Sequence, residues 1–204
     1  MAKGNIFVVT APSGAGKTTL VAALLAADQN VQLSISFTTR APRAGEVHGK
    51  DYHFVERSEF ERMIAAGELL EYAEVYGNYY GTSRTWIESV VDNGRDILLE
   101  IDWQGAQQVK HIFPDAVGVF VLPPAVEVLE ARLRNRGKDS ETIIAQRMAA
   151  AREEMSHYSE ADFIIVNEHI DEAVRDIVSV VRAIRLRLHT QRIRHGALLN
   201  ALKA

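Results

Sequence analysis

The chain has 204 residues, 47% hydrophobic and 25% charged, a balance that suits one globular domain with a sizeable core. It holds no cysteine, which excludes disulfides and thiolate-bound zinc, and its net charge of −4 disfavours nucleic acid as a partner. No apolar run is long enough to cross a bilayer, and Met1-Ala2-Lys3-Gly4 leads into the first apolar stretch without the layout of a signal peptide, so a cytoplasmic protein with no membrane partner is expected.

The first element is an apolar run, Ile6–Val9, read as a buried strand. A turn follows, Ala11-Pro12-Ser13-Gly14-Ala15-Gly16-Lys17-Thr18, and then a helical stretch over 17–27. Strand, glycine-rich turn, Lys-Thr and helix form the layout of a phosphate-binding loop. Its backbone N–H groups make an anion nest at a helix N-terminus. Lys17 is placed to reach the outer phosphates of a nucleotide and the Thr18 hydroxyl to sit on Mg²⁺, while Gly14 and Gly16 supply the backbone freedom for the wrap. Ala11 stands where the usual pattern has glycine, so that position must tolerate a methyl group.

Further strands are expected at Leu33–Phe37, Ile97–Ile101, Val117–Leu122 and Phe163–Val166, with helices at 104–112, 125–136, 140–157 and 170–194. Strands apolar on both faces that alternate with helices argue an α/β fold, a parallel sheet flanked by helices. Between 40 and 95 the pattern changes. Short strands at Tyr52–Val55, Glu68–Val75 and Tyr79–Thr82, a helix near 58–66 and a turn at Gly77-Asn78 describe a small α+β insert.

Chemistry-bearing residues cluster at the ends of these elements. Arg40 and Arg43 flank Pro42 after a strand, a stiff arrangement for gripping a phosphate monoester; two surface arginines in a turn is the plainer alternative. Glu100 and Asp102 end a hydrophobic strand, the usual place for acids near a metal beside a phosphate loop. Arg132 and Arg136 share a helix face, and Arg147 follows on the next helix, so residues 132–147 around Gly137 read as a movable lid over a nucleotide. The alternative is helix-surface arginines paired with Glu130 or Glu153. Glu71 and Glu74 differ in strand phase, so one of them faces a site; Tyr76 and Tyr79 are read as packing residues. His48, His53, His111 and His157 lack metal-ligand spacing. The basic stretch after Arg182 is read as the solvated face of a C-terminal helix, against a membrane surface or a partner helix.

Together, A-P-S-G-A-G-K-T, S-F-T-T-R-A-P-R-A-G-E-V-H-G-K-D-Y, G-N-Y-Y-G-T, I-D-W-Q-G, R-L-R-N-R-G and I-V-N at 165–167 resemble the guanylate kinase family, in family order over residues 4 to 184. The resemblance implies transfer of the γ-phosphoryl group of ATP to GMP, and to dGMP, with Mg²⁺. It implies a core of about 1–35, 96–125 and 155–184, a GMP-binding insert of about 36–95, a mobile helical lid of about 126–154, and a tail over 185–204. By the same resemblance Arg40, Arg43, Tyr52 and Tyr80 hold the GMP phosphate, with Glu46 in the same segment. Ser36, Glu71, Thr82 and Asp102 read guanine, Arg132, Arg136 and Arg147 serve the lid, and Asn167 lies beside the adenine. Glu100 stands where many members carry Asp. A kinase of a ribose bisphosphate and a phosphopeptide-binding module of the same shape are the competing readings. The first gives Glu71, Thr82 and Asp102 no reason to converge. The second does not call for an intact Lys17 and Thr18. Self-association is left open.

Overall fold

The computed structural model describes residues 3–75, 77–135 and 141–203. In chain order the elements begin with β1 (Ile6–Thr10), α1 (Lys17–Ala27), β2 (Val31–Leu33), β3 (Phe37–Thr38), β4 (His53–Phe54), α2 (Arg57–Ala65), β5 (Leu69–Val75), β6 (Asn78–Ser83) and α3 (Arg84–Asp92). They continue with β7 (Asp96–Glu100), α4 (Trp103–Ile112), β8 (Val117–Leu122), α5 (Val126–Asn135) and α6 (Glu141–Ser156). A 3₁₀ turn (His157–Glu160) leads to β9 (Phe163–Val166), α7 (Ile170–Arg185), α8 (Leu188–Arg194) and α9 (Gly196–Ala201).

The core sheet is parallel, in the order β2-β7-β1-β8-β9. Side chains alternate across β1. Phe7 and Val9 meet Leu20 and Leu24 of α1 and Ile177, Val181 and Ile184 of α7 on one face. Ile6 and Val8 meet Ile87 and Val90 of α3 and Val109 of α4 on the other. Burial on both faces is why these strands read as unbroken aliphatic runs. Although α3 lies inside the stretch 36–95, its Ile87 and Val90 belong to this core, and it starts from a Ser83 cap that the sequence reading did not pick out.

The expected strand Leu33–Phe37 is two strands in two sheets. Val31–Leu33 pairs with β7, whereas Phe37–Thr38 pairs with β4 and β6 in a four-stranded sheet of order β4-β3-β6-β5. Ser34 N–H still donates to Leu98 O, but Ser36 O already accepts from His53 N–H, so the ladder changes sheets across Ser34–Ser36. The hairpin turn also differs. Val75 pairs with Asn78, which puts Asn78 in the strand; Gly77 takes φ +77°, and Tyr76 lies outside the described residues. The free edge of β5 is fastened to α4 by one side chain: Gln108 Oε1 accepts from Tyr72 N–H at 3.1 Å and its Nε2 donates to Tyr72 O at 2.9 Å.

The single helix expected over 170–194 stops at Arg185. The buried stripe Ala173-Ile177-Val181-Ile184 ends there, and no residue of α8 or α9 is buried. Arg185 itself is structural. Its Nε donates to Asp96 Oδ2 at 2.6 Å and its Nη1 to Asp28 Oδ2 at 2.5 Å, while Asp96 Oδ1 accepts from the backbone and side chain of Asn5. Burial works against the Asp28 carboxylate, but the Arg185 hydrogen bond holds its pKa below the ordinary value. No helix is long and apolar enough to cross a membrane among the described residues.

Arg185→Leu strands two shielded carboxylates and is expected to cost about 2–3 kcal/mol, roughly 5–10 °C in melting temperature. Deleting residues 188–204 should move the melting temperature by only about 2 °C. Calorimetry on both variants checks this, and equal losses would show the tail to be part of the core.

Candidate active site

The loop after β1 wraps as its glycines allow: Gly14 and Gly16 both take φ +95°. Gly16 begins α1 with no side-chain cap, so the first-turn N–H groups are left for an anion. A methyl group at Gly16 would lie 2.4 Å from Asn167 Nδ2, and one at Gly14 would lie 2.9 Å from Leu129 Cδ1. The Ala11 methyl packs against the core cluster, which accounts for a side chain at the first position. Ala15 N–H donates to Pro12 O at 3.1 Å. Lys17 Nζ donates to Ile101 O at 3.1 Å and the Thr18 hydroxyl to Glu100 Oε1 at 2.7 Å, so the end of β7 and the residue after it hold both side chains. Ser13 N–H donates to Glu154 Oε2 at 3.1 Å, and Glu154 lines the loop cavity of about 240 Å³ with Lys17, Thr18 and Asp102.

A second polar group gathers where β5 meets α4. Glu71 and Thr82 are register partners, 3% and 0% exposed. Ser36 Oγ lies 3.5 Å from Thr82 Oγ1. A methyl at Gly105 would lie 2.7 Å from Glu71 Oε2, so the first turn of α4 closes over the carboxylate only because that residue is glycine. Asp102 caps α4 by accepting from Gly105 N–H at 2.8 Å. Glu71 Oε1 is buried without a partner. Burial pushes its pKa up to about 7, the Thr82 hydroxyl draws it back, and the Asp102 charge adds to the rise. Glu74, the opposite phase, is exposed.

The third part is the loop after β3. Both Glu46 oxygens accept from Arg40 Nη2, at 2.8 and 2.9 Å, and Glu46 Oε2 also accepts from Arg43 N–H at 2.7 Å. The Arg40 hydrogen bond holds the Glu46 carboxyl below its ordinary range. Glu46 thus braces the loop, while Arg43 is exposed to solvent. Arg40 also sits over the Tyr52 ring at 5.5 Å, and Tyr52 meets Tyr80 edge-on at 6.0 Å. Burial raises the Tyr52 pKa, and the charge of Glu100 adds to the rise.

Arg132 reaches the back of the phosphate loop, with Nη1 3.4 Å from Ala15 O and Nη2 3.3 Å from Asn167 O. Arg134, two residues on and so on a different face of α5, is the arginine that pairs with Glu130 and Glu141. Arg147 lies half-buried on α6; Arg136 and Gly137 lie outside the described residues. Asn167 is 5% exposed and donates from Nδ2 to Ala15 O at 2.8 Å, so it buttresses the loop. Among the histidines, His53 stacks on Phe37 and His157 on Trp103, with centroids 4.7 and 3.6 Å apart. Two participants escaped the sequence reading, Glu154 and Gln108. The only prior signal for Glu154 was its spacing of seven from Arg147 on one helix.

The family model for guanylate kinase matches residues 3–184. The chain is 56% identical to a guanylate kinase of Dechloromonas aromatica over 199 residues, 98% of each chain. It is 53% identical to one of Salmonella typhimurium across the full length of both. A crystal structure of guanylate kinase from Anaplasma phagocytophilum superposes with a TM-score of 0.77 at 39% identity, covering 92% of this chain and 89% of that one.

The buried carboxylate of Glu71 carries a stability cost with a definite pH window. Its folded pKa lies above the ordinary value of 4.5, so the folded state binds the extra proton and stability falls as pH rises from about 4.5 to about 7. Glu71→Gln has no such titration. By urea unfolding the variant is expected to gain on the parent across that window and to exceed it by about 2 kcal/mol at pH 8. A gap that does not grow between pH 5 and pH 8 would mean that the carboxylate is solvated in the free protein.

Proposed function

The chain belongs to the guanylate kinase family and phosphorylates GMP to GDP with ATP as donor, and we propose the following division of labour among its residues. The phosphate loop, Ala11 to Thr18, takes the ATP phosphates, with Lys17 on the outer ones. Arg40, Arg43, Tyr52 and Tyr80 hold the GMP phosphate. Ser36, Glu71, Thr82 and Asp102 read guanine. Arg132, Arg136 and Arg147 bring positive charge to the transferring group, and Asn167 lies toward the adenine end. Glu46 acts through Arg40 and Arg43, because both its oxygens are already committed to them.

The observation that carries this reading is Glu71, a carboxylate 3% exposed with one oxygen unpartnered. Guanine presents N1–H and N2–H on one edge, and a carboxylate accepts both. Adenine has a bare acceptor at that position and is repelled. These readers touch only the base, which favours dGMP as a second acceptor. A ribose bisphosphate would leave Glu71 buried and unpaired, which argues against that alternative.

The acceptor is a phosphate oxygen that is already anionic, so the residues need not supply a base. Their task is to bring two polyanions together in a closed site. Arginines suit it because they stay charged and present fixed forks of donors. Thr18 Oγ1 and Glu100 Oε1, 2.7 Å apart, offer the hard oxygens that suit Mg²⁺, and the described residues form no cluster of three ligands that would hold a metal without nucleotide phosphates. When bound, Mg²⁺ would neutralise phosphate charge on the transferring group.

Two variants test the assignment in a coupled ADP-release assay. Arg43→Ala is expected to weaken GMP by about ten- to a hundredfold, the worth of one charge-assisted bond, with ATP little changed. Glu71→Gln presents an amide N–H₂ to a guanine donor and should lower kcat/KM for GMP by roughly tenfold or more, with AMP losing less. Unaltered GMP kinetics in Glu71→Gln would remove the carboxylate from the base-reading set.

A further inference from the structure

Glu154 stands out among the groups around the phosphate loop because it is an anion in an anion site. The loop presents backbone N–H groups and the Lys17 ammonium to a polyphosphate, yet Ser13 N–H already donates to Glu154 Oε2 at 3.1 Å. The carboxylate lines the same cavity as Ser13, Lys17 and Thr18. It arrives from α6, which is not part of the loop: Ile144, Met148 and Ala151 on that helix pack against Leu129 and Leu133 of α5. Arg147 and Glu154 are seven residues apart, two turns, and so lie within about 20° of each other on one face. The face that carries a lid arginine is therefore the face that reaches into the loop. Burial raises the Glu154 pKa and the nearby Asp102 charge adds to this, while the Ser13 N–H and Lys17 favour the ionised form.

We propose that Glu154 is a built-in occupant of the ATP phosphate site: in the nucleotide-free protein its carboxylate takes the Ser13 N–H that a phosphate oxygen takes in the complex, and incoming nucleotide must displace it. Two anions do not share one donor in a confined cleft, so the displacement is obligatory. Glu154 is thus a positioning residue. It holds α6 against an empty loop and keeps the nest ordered. Nucleotide binding breaks the Ser13–Glu154 hydrogen bond and frees α6, with Arg147 on the same face, to take up a new position. The coupling is reciprocal, since a helix held by Glu154 resists the nucleotide that displaces it.

The inference rests on the loop being the ATP phosphate site, and the test separates the two. ADP and GMP affinities are measured by calorimetry on the parent, Glu154→Gln, Glu154→Ala and Lys17→Ala. Removing the competing charge should tighten ADP about fivefold or more in both Glu154 variants while GMP affinity stays constant. The Ser13 amide cross-peak in ¹⁵N spectra should differ between the parent and Glu154→Gln when free and coincide at saturating ADP. Unchanged or weaker ADP binding in the Glu154 variants, with Lys17→Ala clearly weakened, overturns the occupant role and leaves the loop assignment standing. If Lys17→Ala also leaves ADP affinity unchanged, the loop is not the ATP phosphate site and the inference falls with it. Either Glu154 variant alone suffices should the other fail to fold, because both remove the charge.

Discussion

The carbonyl of Ala15 is the point on which the site hangs. It accepts from Asn167 Nδ2, beyond the end of β9, and lies 3.4 Å from Arg132 Nη1 on α5. Three segments distant in sequence therefore meet at one oxygen, and the meeting is feasible only because Gly16 has no Cβ to collide with Asn167. An anion nest works when its N–H groups are fixed before the anion arrives. Here part of the fixing is done at Ala15 O by side chains from outside the loop. The same contacts tie the loop before α1 to α5.

Around this node the charges divide by task. Two of the cations are braced by an oxygen: Arg40 by Glu46, Lys17 by Ile101 O. Bracing removes the entropy cost of ordering a long side chain when substrate binds. The buried carboxylate is treated the opposite way. Glu71 is 3% exposed and its Oε1 has no hydrogen-bond partner, a destabilising arrangement that an N–H donor relieves.

Much of this was legible in the chain. The phosphate loop declared itself by strand, glycines and Lys-Thr, and the core strands by aliphatic residues on both faces. Strand phase separated Glu71 from Glu74. The break at Ser34–Ser36 was not legible, because Ser-Ile-Ser-Phe alternates like a single strand and carries no turn residue; the change of sheet is decided by His53, seventeen positions after Ser36. The end of α7 was equally hidden, since helix propensity continues past Arg185 while the core does not. Glu154 and Gln108 act through contacts across 141 and 36 positions, and nothing local marks a surface Glu or Gln as a fastener.

The Gln108 amide on Tyr72 has a mechanical consequence. Two hydrogen bonds with the spacing of a sheet rung join the insert to α4 at one place. A sheet pinned there cannot slide along α4 without losing both bonds. Glu71, the residue before Tyr72, lies beside that fastening, with Gly105 of α4 close against its carboxylate. The register of β5 on α4 and the enclosure of the Glu71 carboxylate are therefore set together, so a slip at the one would open the other to water.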